Sequence, residues 1–359
     1  MKLIVDDKIP YIKEALARLG VEATYAPGRD IGPALVRDAD ALVVRTRTRC
    51  DRRLLEGSRV RFIATATIGF DHIDTAYCRQ AGIEWANAPG CNASSVEQYV
   101  QSALCVWSLE RHRPLQGCTL GIVGVGHVGS KVARMAHALG MRVLLNDPPR
   151  QEREGGEAFS TMEELTHECD ILTFHVPLSR EGTYPTYHLA DAAWFGSLRR
   201  RPLVINTSRG EVADTRALLQ ALDKGQAGDA IIDVWEHEPD ISQPLLQRVL
   251  LGTPHIAGYS ADGKAGATRM ALDALCRHFR LKADYHIEPP APANPLIVAA
   301  DEADACLQMY DPRRDSTALK AHPEAFETLR GNYPLRRECT AYRVEIKKPA
   351  PARKAEAGI

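Results

Sequence analysis

TLGIVGVGHVGSKVARMAHALGMRVLLND, Thr119 to Asp147, joins an apolar run, a glycine-rich turn, a helical pattern and a second apolar run without a gap. The turn reads Gly124-x-Gly126-x-x-Gly129, and the second run ends on Asp147, about 20 residues further on. Each glycine has its own physical task in such a unit. Gly124 permits the tight turn, Gly126 lets a pyrophosphate approach the backbone, and Gly129 lets the helix pack close to the sheet. The helix N-terminus, with His127 and Val128 in its first turn, offers N–H groups and a positive dipole end to phosphates. Asp147 can accept both hydroxyls of a ribose, and its charge opposes a 2′-phosphate. The pattern therefore predicts a dinucleotide site that prefers NAD. Arg150, after two prolines, stands against that preference.

The same alternation extends along most of the chain. LIVDD, ALVVRT, RFIATAT, TLGIVG, RVLLND, DILTFHV, PLVINTS and AIIDVW read as strands. Most lack polar alternation, as parallel strands buried on both faces do. Pro10 and Gly20 bracket one helix, Thr161 and Glu164 form a capping box, and Asp214 caps a helix that stops at Gly225. This predicts an α/β protein of two doubly wound parallel sheets. NASSVEQYVQSALCVWSLERH, with a Ser95–Gln98 capping box, and DGKAGATRMALDALCRHF are each long enough to cross between domains. A Rossmann-type domain over 96–255 is thus expected to be inserted into a flavodoxin-like substrate domain made of 1–95 and 256–286. IEPPAPANP reads as a proline-rich linker opening a small C-terminal domain over 287–345. From 296 that domain is polar and helix-compatible with little strand signal. It is too small for a comfortable core of its own, so Tyr310, Phe326 and their apolar neighbours are expected to bury against the main body or a second subunit. The end, 346–359, reads as disordered.

A net charge of −1 supplies no global field for nucleic acid or an anionic membrane. No window approaches the ~18 apolar residues of a bilayer span. MKLIVDDKIP reads as a strand and not a signal peptide. Nine cysteines without a C-x-x-C pair suggest reduced thiols in a cytoplasmic protein, with neither a disulfide framework nor a metal site.

Three further stretches follow predicted strand ends, where open α/β sheets build their clefts. VINTSRGEVAD carries Arg209, IIDVWEHEPD carries Glu238, and TPHIAGYS carries His255. An arginine fork suits a carboxylate, a histidine suits proton exchange near neutral pH, and a glutamate on its far nitrogen would fix the tautomer. Each also has a structural reading. Arg209 could cap a turn before Gly210, Glu238 could be solvated beside Glu236, and His255 could bond a backbone carbonyl. Spacing alone does not decide among these.

The glycine motif with Asp147, NTSRG, DVWEHEP and TPHIAG together resemble the D-isomer-specific 2-hydroxyacid dehydrogenases over about 1–285. The resemblance implies catalysis by Arg209, Glu238 and His255, with His255 as acid/base. VDDKIPY, ATATIGFDHID, ANAPGCNA, LNDPPR, ILTFHVPL, HIAGYSADGKA and YDPRRD…FETLRGNYPLRRE resemble one branch of that family and extend the match to about residue 345. That branch oxidises a phosphorylated 2-hydroxy acid with NAD in pyridoxal 5′-phosphate biosynthesis, and its extra C-terminal domain serves homodimerisation. The resemblance implies substrate contacts at Thr46, Thr67 and Tyr259. It implies cofactor contacts at Val176, Thr207, Ser208, Asp233 and Gly258 beside Asp147. Phe70, Ser208 and Val176 depart from the branch's usual residues. Arg45, Arg47 and Arg49 would share one face of an extended segment and are candidates for the phosphate; Arg336 and Arg337 are the others. The competing readings are a dehydrogenase of 3-phosphoglycerate or glycerate/hydroxypyruvate, and a dinucleotide-sensing corepressor.

Overall fold

A computed structural model describes residues 1–155 and 158–347. The tail expected to be disordered from 346 lies outside the described residues beyond Lys347. The chain divides into two compact units. One is Met1–Ser95 with Gly258–Pro290, and the other is Val96–Ala257 with the chain from Ala291 onward.

The first unit holds five parallel strands: β1 (Lys2–Asp6), β2 (Glu22–Ala26), β3 (Ala41–Val44), β4 (Phe62–Thr65) and β5 (Glu84–Ala86). Their order is β2-β1-β3-β4-β5, the flavodoxin-like arrangement. β3 and β4 are buried along their whole length, because helices cover both faces of an all-parallel sheet. Sequence patterning missed β2 and β5. These are the two edge strands, only partly buried, so EATYA and EWA carry no continuous apolar run.

The second unit holds β6 (Thr119–Val123), β7 (Arg142–Asn146), β8 (Ile171–Phe174), β9 (Leu203–Asn206), β10 (Asp229–Ile232) and β11 (Leu251–Gly252). All are parallel, in the order β11-β10-β9-β8-β6-β7. The strand order reverses at β6, with β7 on one side and β8 on the other. The glycine-rich loop leaves β6 at that switch point, where doubly wound sheets open a crevice.

Local punctuation mostly matches the expectations. Thr161 and Glu164 bond reciprocally as a capping box, Asp214 caps Thr215–Asp223, and Gly20 closes Ile12–Leu19 in the left-handed region. Ser95 does not cap. The helix Ala93–Arg111 starts two residues earlier, leaving Ser95 fully buried in its first turn, and Gln98 Nε2 donates to the Arg337 carbonyl instead.

The segment from Ala291 groups with the second unit. Leu319 and Phe326 lie in one buried cluster with Phe174, Trp194, Leu222 and Leu246. It also contains strands where the sequence showed little sign of them. β12 (Leu296–Ala299) and β13 (Arg343–Ile346) pair in parallel, Leu296 opposite Arg343. Their partners lie far apart in sequence, and only alternate residues of β12 are buried, so no local run marked them. Among the described residues no helix is long and apolar enough to cross a membrane.

Candidate active site

The second sheet brings the expected site residues to one edge. Because its strands are parallel, the loops after β6, β8, β9, β10 and β11 all emerge at their carboxyl ends. Gly124 takes φ 90°, and a Cβ there would meet His175 O at 2.6 Å and Val176 Cγ1 at 2.7 Å. A Cβ on Gly129 would fall 2.0 Å from Gly124 O, so helix and strand need that hydrogen. At Gly126 an added Cβ meets no protein atom, so packing does not demand glycine there. Gly126 is also the N-cap of His127–Ala138 and offers no side-chain cap, which leaves the helix N–H groups to an external acceptor. His127 is exposed and Val128 half-buried at that end. These residues fit a dinucleotide pyrophosphate.

Asp147 follows β7. Its Oδ2 accepts from Val125 N–H at 2.8 Å, and its Oδ1 accepts from Arg150 N–H at 3.0 Å as the N-cap of Pro148–Glu154. Asp147 thereby ties the glycine loop to the second strand. Arg150 Nη1 donates to Val125 O at 2.7 Å, beside that carboxylate. After β8, the His175 ring has Thr173 Oγ1 at 3.0 Å from Nε2 and Thr207 Oγ1 at 3.4 Å from Nδ1. Burial pushes His175 down to about 3, so the ring is neutral at physiological pH.

The loop after β9 is organised by Asn206, which sequence reasoning passed over although it stands in the NTSRG stretch. Its Oδ1 accepts from Ser208 N–H and Oγ, and its Nδ2 donates to Arg209 O at 2.8 Å. Ser208 therefore turns its hydroxyl inward. Arg209 Nη1 donates to Ser208 O at 2.7 Å, a bond that uses one of its five donors. A Cβ on Gly210 would lie 2.0 Å from the Trp235 carbonyl carbon, which presses the β9 loop against the β10 loop.

Glu238 follows β10, and His255 follows β11. His255 Nδ1 lies 2.8 Å from Glu238 Oε2, while Glu238 Oε1 accepts from Trp235 N–H at 2.9 Å. Burial alone would push the Glu238 carboxyl up. The His255 bond and charge, the Trp235 N–H and Arg330 outweigh it and hold the carboxyl below its ordinary value. Glu236, by contrast, turns to His188 Nε2 at 2.8 Å and Thr215 N–H at 2.9 Å. His255 sits at φ 57°, a region non-glycine residues seldom adopt.

Asp233, expected at the cofactor, is almost fully buried. Its Oδ1 accepts from Thr253 Oγ1 and Ile256 N–H, and its Oδ2 from Ala257 N–H. The carboxylate therefore holds the loop that carries His255. Burial raises it, against the pull of His255 and these donors.

Thr46, Thr67, Tyr259, Gly258, Arg45 and Arg47 belong to the first unit. Thr67 Oγ1 donates to Gly69 O, and Lys264 Nζ lies 5.1 Å from the Tyr259 ring centroid. A Cβ on Gly258 would fall 2.1 Å from Asn92 Nδ2, so a side chain there would have to displace the Asn92 amide. The arginines at 45, 47 and 49 do not share an extended face. β3 ends at Val44, and Thr48 N–H closes a turn onto Arg45 O. Arg45 Nη1 donates to Lys8 O, and Arg49 pairs with Asp51. Arg336 is only 5% exposed and donates to Ala257 O, so it is no phosphate ligand at the surface. All nine cysteines are free thiols, and among the described residues no cluster of His, Cys, Asp or Glu could hold a metal ion.

Residues 92–257 match the family described as D-isomer specific 2-hydroxyacid dehydrogenase, NAD binding domain, and residues 296–357 match a domain of unknown function. Over 344 residues the chain is 64% identical to an erythronate-4-phosphate dehydrogenase of Bacteroides thetaiotaomicron, covering 96% of this chain and 99% of that protein. Among solved structures, it is similar to NAD-bound 3-phosphoglycerate dehydrogenase of Entamoeba histolytica, with 26% identity, TM-score 0.64 and coverage of 78% and 95%. It is also similar to D-lactate dehydrogenase of Aquifex aeolicus with NAD and lactic acid, with 25% identity, TM-score 0.63 and coverage of 78% and 96%.

Proposed function

The chain belongs to the D-isomer-specific 2-hydroxyacid dehydrogenases, NAD-dependent oxidoreductases, and from that premise we propose that it oxidises 4-phospho-D-erythronate to the 2-oxo acid in pyridoxal 5′-phosphate biosynthesis. The observation that carries the reaction is the His255–Glu238 pair, held at the ends of β11 and β10, with Arg209 after the neighbouring strand β9. The substrate rests on 64% identity over nearly both whole chains.

NAD, held at the glycine loop and Asp147, would supply the acceptor for the hydride from C2. His255 turns Nδ1 to Glu238, which leaves Nε2 as the atom that takes the C2 hydroxyl proton. Glu238, kept ionised by its donors, stabilises the imidazolium that forms. Arg209 holds the C1 carboxylate with the fork of donors it does not spend on Ser208 O. Asp147, Gly124, Gly126, Gly129, Val176, Thr207, Ser208 and Gly258 serve the cofactor in this reading, and Thr46, Thr67, Tyr259, Arg45 and Arg47 the substrate. We place the enzyme in the cytoplasm, where thiols such as its nine stay reduced. We also propose a homodimer through the C-terminal segment, because Leu296 and Val298 present 46% and 42% of their surface on one face of β12.

The test is NAD reduction with 4-phospho-D-erythronate, D-3-phosphoglycerate and D-glycerate in parallel. Turnover is expected to be highest with the first. A preference for 3-phosphoglycerate or glycerate would move the enzyme to a sister activity, and tight NAD binding without turnover of any acid would favour a sensor.

A further inference from the structure

Two arginines of the C-terminal segment approach the two carboxylates that surround His255. Arg330 Nη1 lies 3.8 Å from Glu238 Oε2, the same oxygen that bonds His255 Nδ1. Arg336 Nη2 donates to Ala257 O at 2.5 Å, two residues from His255. We propose that Arg336 and Arg330 are positioning residues for His255, so that the segment matching a domain of unknown function completes the active site.

The Ala257 peptide is gripped at both ends. Its N–H goes to Asp233 Oδ2 at 2.9 Å, and its carbonyl takes the Arg336 guanidinium. The His255 N–H goes to Asp233 O at 2.7 Å, and Ile256 N–H goes to Asp233 Oδ1 at 2.8 Å. Backbone in the left-handed region persists at a non-glycine residue only where the surroundings over-determine it, and these bonds do so at His255.

Arg336 is itself rigidly placed. Its guanidinium carbon lies 4.3 Å from the Tyr310 ring centroid and 5.8 Å from that of Tyr333. Both phenols donate to Asp315 Oδ2, at 2.9 and 2.8 Å. A neutral donor would satisfy one carbonyl at lower desolvation cost than a buried cation. Through the Ala257 peptide the guanidinium is also linked to the buried Asp233 carboxylate, which takes the N–H of the same residue. Asp233 and Glu238 thus each have an arginine from the same segment behind them.

The inference rests on His255 being the proton acceptor, and a failure of that reading would show as near-native turnover of His255→Ala. With an active parent, full-length Arg336→Met is expected to lose about 10²-fold in kcat for hydroxy-acid oxidation while NAD affinity stays native. Native kcat, or a loss matched by equal loss of NAD affinity, overturns the role of Arg336. Should that variant not fold, Arg330→Gln decides, at a side chain 27% exposed. Charged groups facing the His255–Glu238 pair include Asp233 and Arg330. Removing the arginine's charge leaves Glu238 more fully committed to the imidazolium. The acid limb of the oxidation profile then moves to higher pH, and an unmoved limb overturns the proposal.

Discussion

His255 Nδ1 and Glu238 Oε2 are 2.8 Å apart, although each sits on a different loop and each loop follows a different strand. The bond selects the tautomer: with Nδ1 committed to the carboxylate, only Nε2 can exchange a proton with a ligand. His255→Ala is expected to lose about 10²–10⁴-fold in kcat while NAD affinity is retained. Steady-state kinetics and a fluorescence titration with NAD check this. Near-native turnover would return His255 to a packing role.

Glu238 links the site to acid stability. Its folded carboxyl lies below the ordinary 4.5, so the unfolded chain binds the proton more readily. The stability it contributes is fully present above the unfolded value and is lost as pH falls through the lower, folded one. Denaturant unfolding between pH 7 and pH 3 should show a smaller acid-dependent loss for Glu238→Gln than for the parent. Equal losses would show that other carboxylates govern the transition.

Asp147→Asn separates charge from capping. An amide oxygen can still cap Pro148–Glu154, although the amide nitrogen cannot accept from Val125 N–H; the repulsion of a 2′-phosphate is removed and Arg150 remains beside the glycine loop. The ratio of kcat/KM for NAD over NADP should fall at least several-fold, with some loss of Tm from the Val125 N–H left without its acceptor. An unchanged ratio would assign cofactor choice to another residue.

Gly129→Ala forces a methyl to 2.0 Å from Gly124 O, against backbone that cannot swing aside. A loss of about 1–3 kcal/mol in unfolding free energy is expected, together with weaker NAD binding. Gly126→Ala, where no protein atom is met, should leave stability nearly unchanged and weaken NAD alone. Equal stability losses in the two variants would contradict this division of labour.

Val298→Asp places a charge on the exposed face of β12. If that face joins two copies, light scattering should report a shift from dimer to monomer in a folded protein. A variant that remains dimeric would move the interface elsewhere.

The amino-acid sequence by itself determined the parallel α/β class, the glycine loop, the Thr161–Glu164 capping box and the carboxyl-end location of Arg209, Glu238 and His255. These follow from local causes. A strand buried on both faces must be apolar throughout, a tight turn must carry glycine, and a helix end must satisfy its own N–H groups. Edge strands β2 and β5 escaped because an edge has no such burial to record. Tertiary structure decided the rest. Whether three alternate arginines share a face depended on where β3 stopped, and it stopped at Val44. β12 pairs with β13 across the helices that lie between them in the chain, so neither strand is marked by a local partner. Arg336 reads as a surface cation until the fold brings it to a carbonyl 79 residues away in sequence. Spacing records which side of an element is buried. It carries no term for which distant group will meet that side, because the meeting depends on how the whole chain closes.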